Sequence, residues 1–510
     1  MADEKRYLSG GLLVLFTAAI ATANMMEVLD ITIANVSIPT IAGELGVSPN
    51  QGTWIITSYA VANAITVPLT GWMATRFGQA RVFMTALGLF TLASLLCGLA
   101  TSFEELLTFR VIQGSVAGLM VPLSQALLIN NYPPEKRGMA LTIWGMTIMV
   151  APIAGPLLGG WITDNFHWSW IFLINVPVGG VAGLIAWQLL KGRDTPTQRV
   201  PVDGVGAGLL VLWVGALQIM LDKGNELDWF DSPFILTLGI IAAIGFIVFL
   251  VWELLEEHPI VDLSLIWQYR NFRMGALALC LGYSVFFSSI VILPLWLQTQ
   301  INYTSQWAGF ALAPAGVLAL LVSPLVGRTM QGKDLRWYAT IAFIVFAGTS
   351  FWRAKFTSDA DFVTLMLPQL LQGIGIATFF APLITINMSG IPPSRIANAS
   401  GLQNFLRMMA GSFGTSLAVT LWDHRAALHR TQLTDHLNNA SQPMQEYLQQ
   451  LQSTGMPPDV ARAQIDHVLT VQSYTLATND LFWLGGCLLL ILIFVIWQTR
   501  PPFGGAPGAH

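Results

Sequence analysis

The sequence predicts an all-α, polytopic membrane protein with fourteen transmembrane helices. Of its 510 residues, 54% are hydrophobic and only 10% are charged, whereas a soluble globular protein has about 25% charged residues. The chain therefore has too few polar side chains to cover a soluble surface. Apolar runs of about 20 residues, the length that crosses the hydrocarbon core of a bilayer, also recur along the whole sequence.

We number the predicted spans in chain order. Their approximate bounds are 12–34, 54–73, 82–100, 105–129, 138–162, 170–190, 204–221, 233–254, 272–297, 306–328, 336–353, 362–388, 397–422 and 479–498. An even number of spans places both termini on one side of the membrane. Sixteen of the 24 Lys and Arg residues fall on that side, including Lys5 and Arg6, and six, including Lys223 and Arg353, fall on the other. Both termini are therefore expected in the cytoplasm.

An internal repeat divides the chain into two halves. Spans 4 and 12 share a pattern at an offset of 259 residues: Leu106-x3-Arg110-x2-Gln113-Gly114 recurs as Leu365-x3-Gln369-x2-Gln372-Gly373. Repeated halves around a central site are typical of transporters. We predict a six-helix bundle over residues 1–190, two inserted helices with their loops over 191–271, and a second six-helix bundle over 272–510.

Span 1 carries two acids, Glu27 and Asp30, which share one face of a helix. An acid near the bilayer centre costs about 2.5–3.5 kcal/mol on insertion scales, so such residues usually face the protein interior and carry function. Arg110 in span 4 lies at a depth similar to that of Asp30, so the two could pair. A buried carboxylate opposed by an arginine can change its proton occupancy near neutral pH, although a static ion pair is the alternative. Arg407 in span 13 should also face inward.

The longest hydrophilic stretch, residues 423–478, is expected outside the cytoplasm. It reads as a solvated cap of short helices, with a docking surface for a partner as the alternative. Its histidines lack compact ligand spacing, and the three cysteines lie far apart, so no metal site is predicted. The net charge of −4 and the lack of a basic tract give no indication of nucleic-acid binding.

Two glycine-containing segments suggest points of close helix approach or bending. Span 5 contains Ala151-Pro152-Ile153-Ala154-Gly155-Pro156-Leu157-Leu158-Gly159-Gly160, and the loop after span 2 contains Gly71-Trp72-Met73-Ala74-Thr75-Arg76-Phe77-Gly78. No acceptable nucleotide-binding motif is present. Active transport would therefore draw on an ion gradient and need no cofactor.

These motifs together resemble the major facilitator superfamily, specifically its fourteen-span drug:proton antiporters and most closely their EmrB branch. The similarity rests on Leu29–Pro39 in span 1, Arg110 to Gly114 in span 4, Gly155 to Gly160 in span 5 and Trp168–Gly179 at span 6. It implies the major facilitator fold, proton coupling through Asp30 and Arg110, and a bacterial inner-membrane pump. It also implies a periplasmic adaptor and an outer-membrane channel as partners.

The chain departs from the family pattern at three positions. Thr75 stands where the loop after span 2 normally has an acid, Gln79 stands where it has a base, and Glu27 is not part of the usual span 1 motif. Glu27 could therefore serve coupling or substrate choice in this protein. The conformational candidates are Gly71, Arg76, Gly78, Gly155, Pro156, Gly159 and Gly160.

The sequence therefore predicts a proton-coupled exporter of amphipathic, largely apolar drugs, and not an enzyme. The proton-coupling candidates are Asp30, Glu27 and Arg110, and the candidates for the substrate cavity are Asn35, Trp144, Phe286, Phe287 and Arg407. Core packing is an equally good interpretation of the cavity candidates. The alternatives are a narrow-specificity metabolite or fatty-acid exporter, a nutrient importer, or a membrane-embedded enzyme or receptor.

Overall fold

The chain folds into helices that coincide with the predicted spans. The computed structural model describes residue 8 and residues 10–133, 136–199, 201–257, 259–330, 332–436, 442–453 and 456–503, so Lys5 and Arg6 lie outside the described part. Within these ranges there is no strand. Ten of the described helices are long and apolar enough to cross a membrane. The all-α, polytopic prediction is confirmed, and the count of fourteen crossings stays a prediction.

The first eight spans have the following bounds. Span 1 is Gly10–Glu44, span 2 is Trp54–Thr66, a 3-10 turn at Val67–Leu69 and Thr70–Phe77, span 3 is Gln79–Gly98, span 4 is Phe103–Asn131, span 5 is Arg137–Asn165, span 6 is Trp170–Leu173 and Asn175–Leu190, span 7 is Gly204–Lys223, and span 8 is Pro233–Leu255. The break in span 2 falls at Pro68, whose ring removes a backbone donor from the helix.

The remaining spans and the short helices complete the chain. Span 9 is Arg270–Thr299, span 10 is Ser305–Thr329, span 11 is Leu335–Arg353, span 12 is Phe362–Met388, span 13 is Ile396–His436, and span 14 is Pro458–Ile496. Short helices cover Pro49–Gly52, Ser264–Gln268 and Gln442–Ser453, and 3-10 turns cover Trp229–Asp231 and Pro393–Arg395. Side-chain N-caps fix several starts: Ser102, Thr304 and Asp361 each accept a hydrogen bond from the first turn of the following span.

Spans 1–6 pack against one another as a first group, and spans 9–14 pack against one another as a second group. The two groups meet mainly at two places: span 5 contacts spans 10 and 12, and span 13 contacts spans 2 and 4. Spans 7 and 8 pack on each other, and span 7 lies against span 2 and span 13. In the connection between spans 7 and 8, Asn225 donates to Asp423 at 3.0 Å and Trp229 donates to Thr420 at 3.0 Å. The inserted pair thus contacts both groups.

The two groups are in close contact at the end of the bundle where span 1 begins. A Cβ on Gly71 would lie 2.8 Å from the Cα of Asn398, and a Cβ on Gly327 would lie 3.2 Å from the Cα of Met139. Asn404 also donates to Gln125 across this contact at 2.7 Å. The structure is therefore closed at this end.

The segment 423–478 differs from the predicted cap of short helices. Span 13 continues as one 41-residue helix to His436, and span 14 already begins at Pro458. The two extensions are joined by Arg430, which donates to Asp466 at 2.6 Å, and by Asp480, which accepts from Arg425 at 2.7 Å. The predicted spans end where the polar residues begin, because they are based on hydropathy. The helices continue further, since helix formation does not require apolar side chains. Residues 437–441 and 454–455 lie outside the described part.

Two of the six cations that the prediction places on the non-cytoplasmic side are buried. Lys223 is 4% exposed and pairs with Glu226 at 2.7 Å. Arg353, the last residue of span 11, is 1% exposed. Both lie at helix C-termini, where the hydropathy pattern does not distinguish a buried end from a loop.

Candidate functional site

The two charges predicted to match in depth form an ion pair inside the first group of helices. Nη1 of Arg110 lies 2.5 Å from Oδ2 of Asp30, and both side chains have no solvent exposure. The guanidinium also donates to the backbone oxygen of Ile55 at 3.0 Å and lies 4.1 Å from the centre of the Tyr59 ring. The pair therefore joins spans 1, 2 and 4 in a fully desolvated environment.

Two amides complete the surroundings of the carboxylate. Oδ1 of Asp30 accepts from Nδ2 of Asn175 at 2.8 Å and from Nε2 of Gln113 at 3.2 Å. Asn175 is held by Ser94 of span 3, which accepts its second bond at 2.9 Å. We call Asp30, Arg110, Gln113 and Asn175 the coupling cluster. Every contact that it makes to Asp30 favours a negative charge there, so neutralising this carboxylate would weaken all of its contacts together.

Glu27 belongs to a second polar group, which faces the other half. Its Oε1 accepts from Asn63 at 3.0 Å, whereas its buried Oε2 has no hydrogen-bond partner among the described residues. Arg407 of span 13 attracts this carboxylate electrostatically. The guanidinium donates to Asn404 at 3.1 Å, lies 4.7 Å from the Tyr283 ring centre, and likewise leaves its buried Nε unpaired within the described part. Glu27 and Arg407 therefore bring unsatisfied polar atoms to the contact between the halves.

The other cavity candidates occupy different surroundings. Trp144 is fully buried and donates to Ser124 at 2.8 Å, and Asn35 is exposed. Phe286 stacks on Phe346 inside the second group of helices, with ring centres 5.4 Å apart. Phe287 stacks on Tyr283, again at 5.4 Å. Of these four, only Phe287 therefore packs on the ring that contacts Arg407.

The span 5 glycines allow close packing on span 1. A Cβ on Gly155 would overlap the side chain of Thr32, and one on Gly159 would lie 2.9 Å from the backbone oxygen of Ile33. At Gly160, in contrast, a Cβ would meet no described atom within 4 Å. Pro156 belongs to the same helix, and its side chain lies outside the described part. Gly155 and Gly159 therefore have no room for a side chain, and the residues that they contact on span 1 lie within one helical turn of Asp30.

An acidic side chain from a distant segment of the chain contacts the residues that follow the loop after span 2. Gly78 has φ of 93°, which an L side chain rarely adopts. Asp194 accepts from the backbone of Ala80 at 3.0 Å and lies 3.4 Å from Nε of Arg81. A carboxylate from the segment after span 6 thus lies at the start of span 3, while position 75 itself is a threonine. Arg76 lies over the rings of Trp72 and Phe77, at 5.5 and 5.6 Å.

Sequence reasoning missed several residues of these groups. Asn175 was part of a recognised motif without a role, and Asn63 and Ser94 were not singled out at all. All three are uncharged polar residues within apolar spans, and this is the signal that could have identified them, because buried polar groups require partners. Their actual partners follow only from the packing of spans 2, 3 and 6 around span 1.

Comparison with known proteins places the chain in a transporter family. The Major Facilitator Superfamily profile matches residues 20–415. The chain is 50% identical to the multidrug export protein EmrB of Haemophilus influenzae, covering 98% of each chain, and 48% identical to EmrB of Escherichia coli K12 over the full length of both. It is also 46% identical to the fatty acid resistance protein FarB of Neisseria gonorrhoeae, over 99% of each chain.

Solved structures show the same fold at low identity. The human organic anion transporter MFSD10 superposes with a TM-score of 0.60 at 14% identity, over 94% of this chain and 99% of that one. The proton:xylose symporter XylE superposes with a TM-score of 0.59 at 13% identity, over 96% of each. The chain belongs to the major facilitator superfamily and, within it, to the family of EmrB-type transporters.

Proposed function

We propose that the chain is a proton-coupled multidrug exporter of amphipathic compounds. The observation that carries this proposal is the coupling cluster, a desolvated carboxylate held by one arginine and two amides in a chain that has full-length similarity to multidrug export proteins. Protonation of Asp30 removes the charge that Arg110 neutralises. The two helices that bear the pair, spans 1 and 4, are then free to change their relative position.

Glu27 and Arg407 supply the polar contacts of the substrate site. They approach from opposite halves, and each retains a buried polar atom without a partner in the described part of the chain. A cationic or hydrogen-bonding drug can satisfy Glu27, while the rings of Tyr283 and Phe287 offer apolar and aromatic surface. Alternating access then moves the site from one side of the membrane to the other.

The transporter would act in the inner membrane of a bacterium, with both termini in the cytoplasm and the proton gradient as its only energy source. The long extensions of spans 13 and 14 would reach into the periplasm. There they would contact a periplasmic adaptor that leads to an outer-membrane channel. Deleting residues 430–470 should reduce co-purification of the adaptor while leaving the chain in the membrane; unchanged co-purification would contradict this role.

A proteoliposome assay tests proton coupling. Asp30→Asn should abolish drug-dependent proton release, because the asparagine amide cannot exchange the proton, and Arg110→Ala should impair transport while the protein remains in the membrane. Trp161→Phe is a matched control in span 5, since Trp161 is 58% exposed and lies outside both polar groups. Unchanged coupling in Asp30→Asn would rule out Asp30 as the proton carrier.

A fatty-acid exporter is the second candidate. The 46% identity to FarB favours it, and Arg407 could bind a carboxylate instead of completing a site for cations. Export of long-chain fatty acids that is lost in Arg407→Gln and kept in Glu27→Gln would support this candidate. The reverse pattern, with a cationic dye as substrate, would support drug export.

A further inference from the structure

Arg353 is a buried cation with no acid to neutralise it in the described part of the chain. Its side chain is among the largest fully buried ones there, and its hydrogen bonds go to Gln372 and, at 3.5 Å, to Ser289. None of the ion pairs among the described residues includes it. A buried charge without a counter-charge is strongly unfavourable, so an anion bound next to this guanidinium would stabilise it.

The internal repeat relates this place to the coupling cluster. The 259-residue offset of spans 4 and 12 makes Gln372 the counterpart of Gln113 and, when it is applied to spans 1 and 9 as well, pairs Ser289 with Asp30. The contacts are parallel, since Asp30 and Gln113 both bind Arg110, and Ser289 and Gln372 both bind Arg353. Arg110 is replaced by the neutral Gln369, and Arg353 stands at the position of Ser94. The first half therefore holds an arginine together with its own carboxylate. The second half holds an arginine that contacts a serine in place of the carboxylate.

The unsatisfied atoms around Arg353 are hydrogen-bond donors. Nε of Arg353 and Nε2 of Gln369 are buried and have no partner among the described residues. Gln369 lies one turn before Gln372 on span 12, and Phe482 of span 14 covers the guanidinium at 5.4 Å. The C-terminal carbonyl groups of span 11 supply only a partial negative charge. A site with cationic and neutral donors and no acid selects an anion.

We propose that this place, between spans 9, 11, 12 and 14, binds a small monovalent anion through Arg353 and Gln369. The ligand is either a chloride-sized ion that accompanies the transport cycle or the carboxylate group of an organic molecule. Both present the same chemistry to a guanidinium. This site is separate from the contact between Glu27 and Arg407, and it does not depend on which drugs the protein exports.

The thermal unfolding temperature of the purified full-length chain in detergent tests the site. Sodium chloride, bromide, acetate or hexanoate replaces the sodium salt of HEPES, a bulky sulfonate without a carboxylate group, at constant ionic strength, so that screening stays the same. A bound anion stabilises the folded state in a saturable way. Saturable shifts with chloride and bromide identify an inorganic ion, and shifts with acetate and hexanoate alone identify a carboxylate. The absence of any saturable shift relative to the HEPES reference would overturn the proposal.

Variants then assign the effect to the proposed donors. Arg353→Gln should raise the half-saturating anion concentration at least about tenfold, since it removes a charged donor, and Arg353→Lys should restore part of the binding. Arg425→Gln is the matched control, because Arg425 is half-exposed and pairs with Asp480 outside this site. If Arg353→Gln does not fold, Gln369→Leu takes its place. Equal anion responses in the wild type and the variant that is used would refute the assignment.

Discussion

A double-mutant cycle on Asp30 and Arg110 measures how much the ion pair of the coupling cluster contributes to the free energy of unfolding. Arg110→Met keeps an apolar side chain of similar length but removes the guanidinium, leaving Asp30 with the amides of Gln113 and Asn175 only. Breaking a buried ion pair from one side destabilises a protein by about 3–5 kcal/mol. Because both side chains are fully buried, we expect the loss for this variant to fall in that range.

The double variant Asp30→Asn, Arg110→Met should be more stable than Arg110→Met alone. It contains no unpaired charge, and asparagine can still hydrogen-bond to Gln113 and Asn175. Pairs in direct contact show interaction energies of about 0.5–3 kcal/mol in such cycles. We expect a recovery of about 2 kcal/mol, or roughly thirtyfold in the folding equilibrium.

The assay follows reversible unfolding of the purified chain in mixed micelles, using tryptophan fluorescence, and compares the midpoints of four proteins: the wild type, both single variants and the double variant. A loss below about 1 kcal/mol in Arg110→Met would show that Asp30 carries no charge in the resting protein. Strictly additive losses would show that the two residues do not interact as charges. Either result would refute the reasoning that neutralising Asp30 releases Arg110.

Three further predictions concern the other candidates. Gly159→Ala should destabilise the chain and lower export, because the added Cβ meets the backbone of span 1. Gly160→Ala has open space around its Cβ and should be neutral or stabilise the chain by up to about 1 kcal/mol. Equal unfolding midpoints for the two variants would contradict the packing argument. Gly71→Ala should weaken the closed contact with Asn398 and so reduce cysteine cross-linking between spans 2 and 13, and unchanged cross-linking would contradict this. Glu27→Gln should reduce export of cationic dyes several-fold more than export of neutral ones, measured by dye retention in cells; equal losses would argue against charge recognition.

Much of the fold follows from the sequence because a membrane imposes a simple rule. Each span must be a helix that is apolar over about 20 residues, so the centre of each predicted span lies within a described helix. The pairing of Asp30 with Arg110 was accessible as well, since span direction and position within the span give the depth of each residue.

The rest depends on tertiary contacts that hydropathy does not encode. Lys223 and Arg353 stand at the ends of spans, where the hydropathy pattern does not predict burial, yet neighbouring helices bury them. Asp194 lies far from Gly78 in sequence and reaches it only because the segment after span 6 folds back to the start of span 3. Sequence position alone therefore predicts depth along a span and does not predict which neighbour a side chain meets.

The contacts around span 5 suggest how a proton at Asp30 would affect the other half of the molecule. Thr32, two residues after Asp30, donates to the backbone oxygen of Ala151 in span 5 at 3.3 Å. The same helix meets the second half through Gly145, whose Cβ would lie 2.9 Å from Phe380, and through Leu157, which packs on Gly309. Span 5 is thus one continuous helix in contact with both span 1 and the opposite half.

Contact alone does not establish coupling, because an element transmits a signal only if both sites bias its position. Disturbing the packing of span 5 on span 1 should therefore alter drug-dependent proton release even when Asp30 and Arg110 are intact. We expect Gly159→Ala to lower the ratio of protons to drug, measured in the same liposomes, while Gly160→Ala leaves the ratio unchanged. A fall in transport rate at constant ratio would mean that span 5 only supports the fold, and that the coupling cluster acts on the second half by another route.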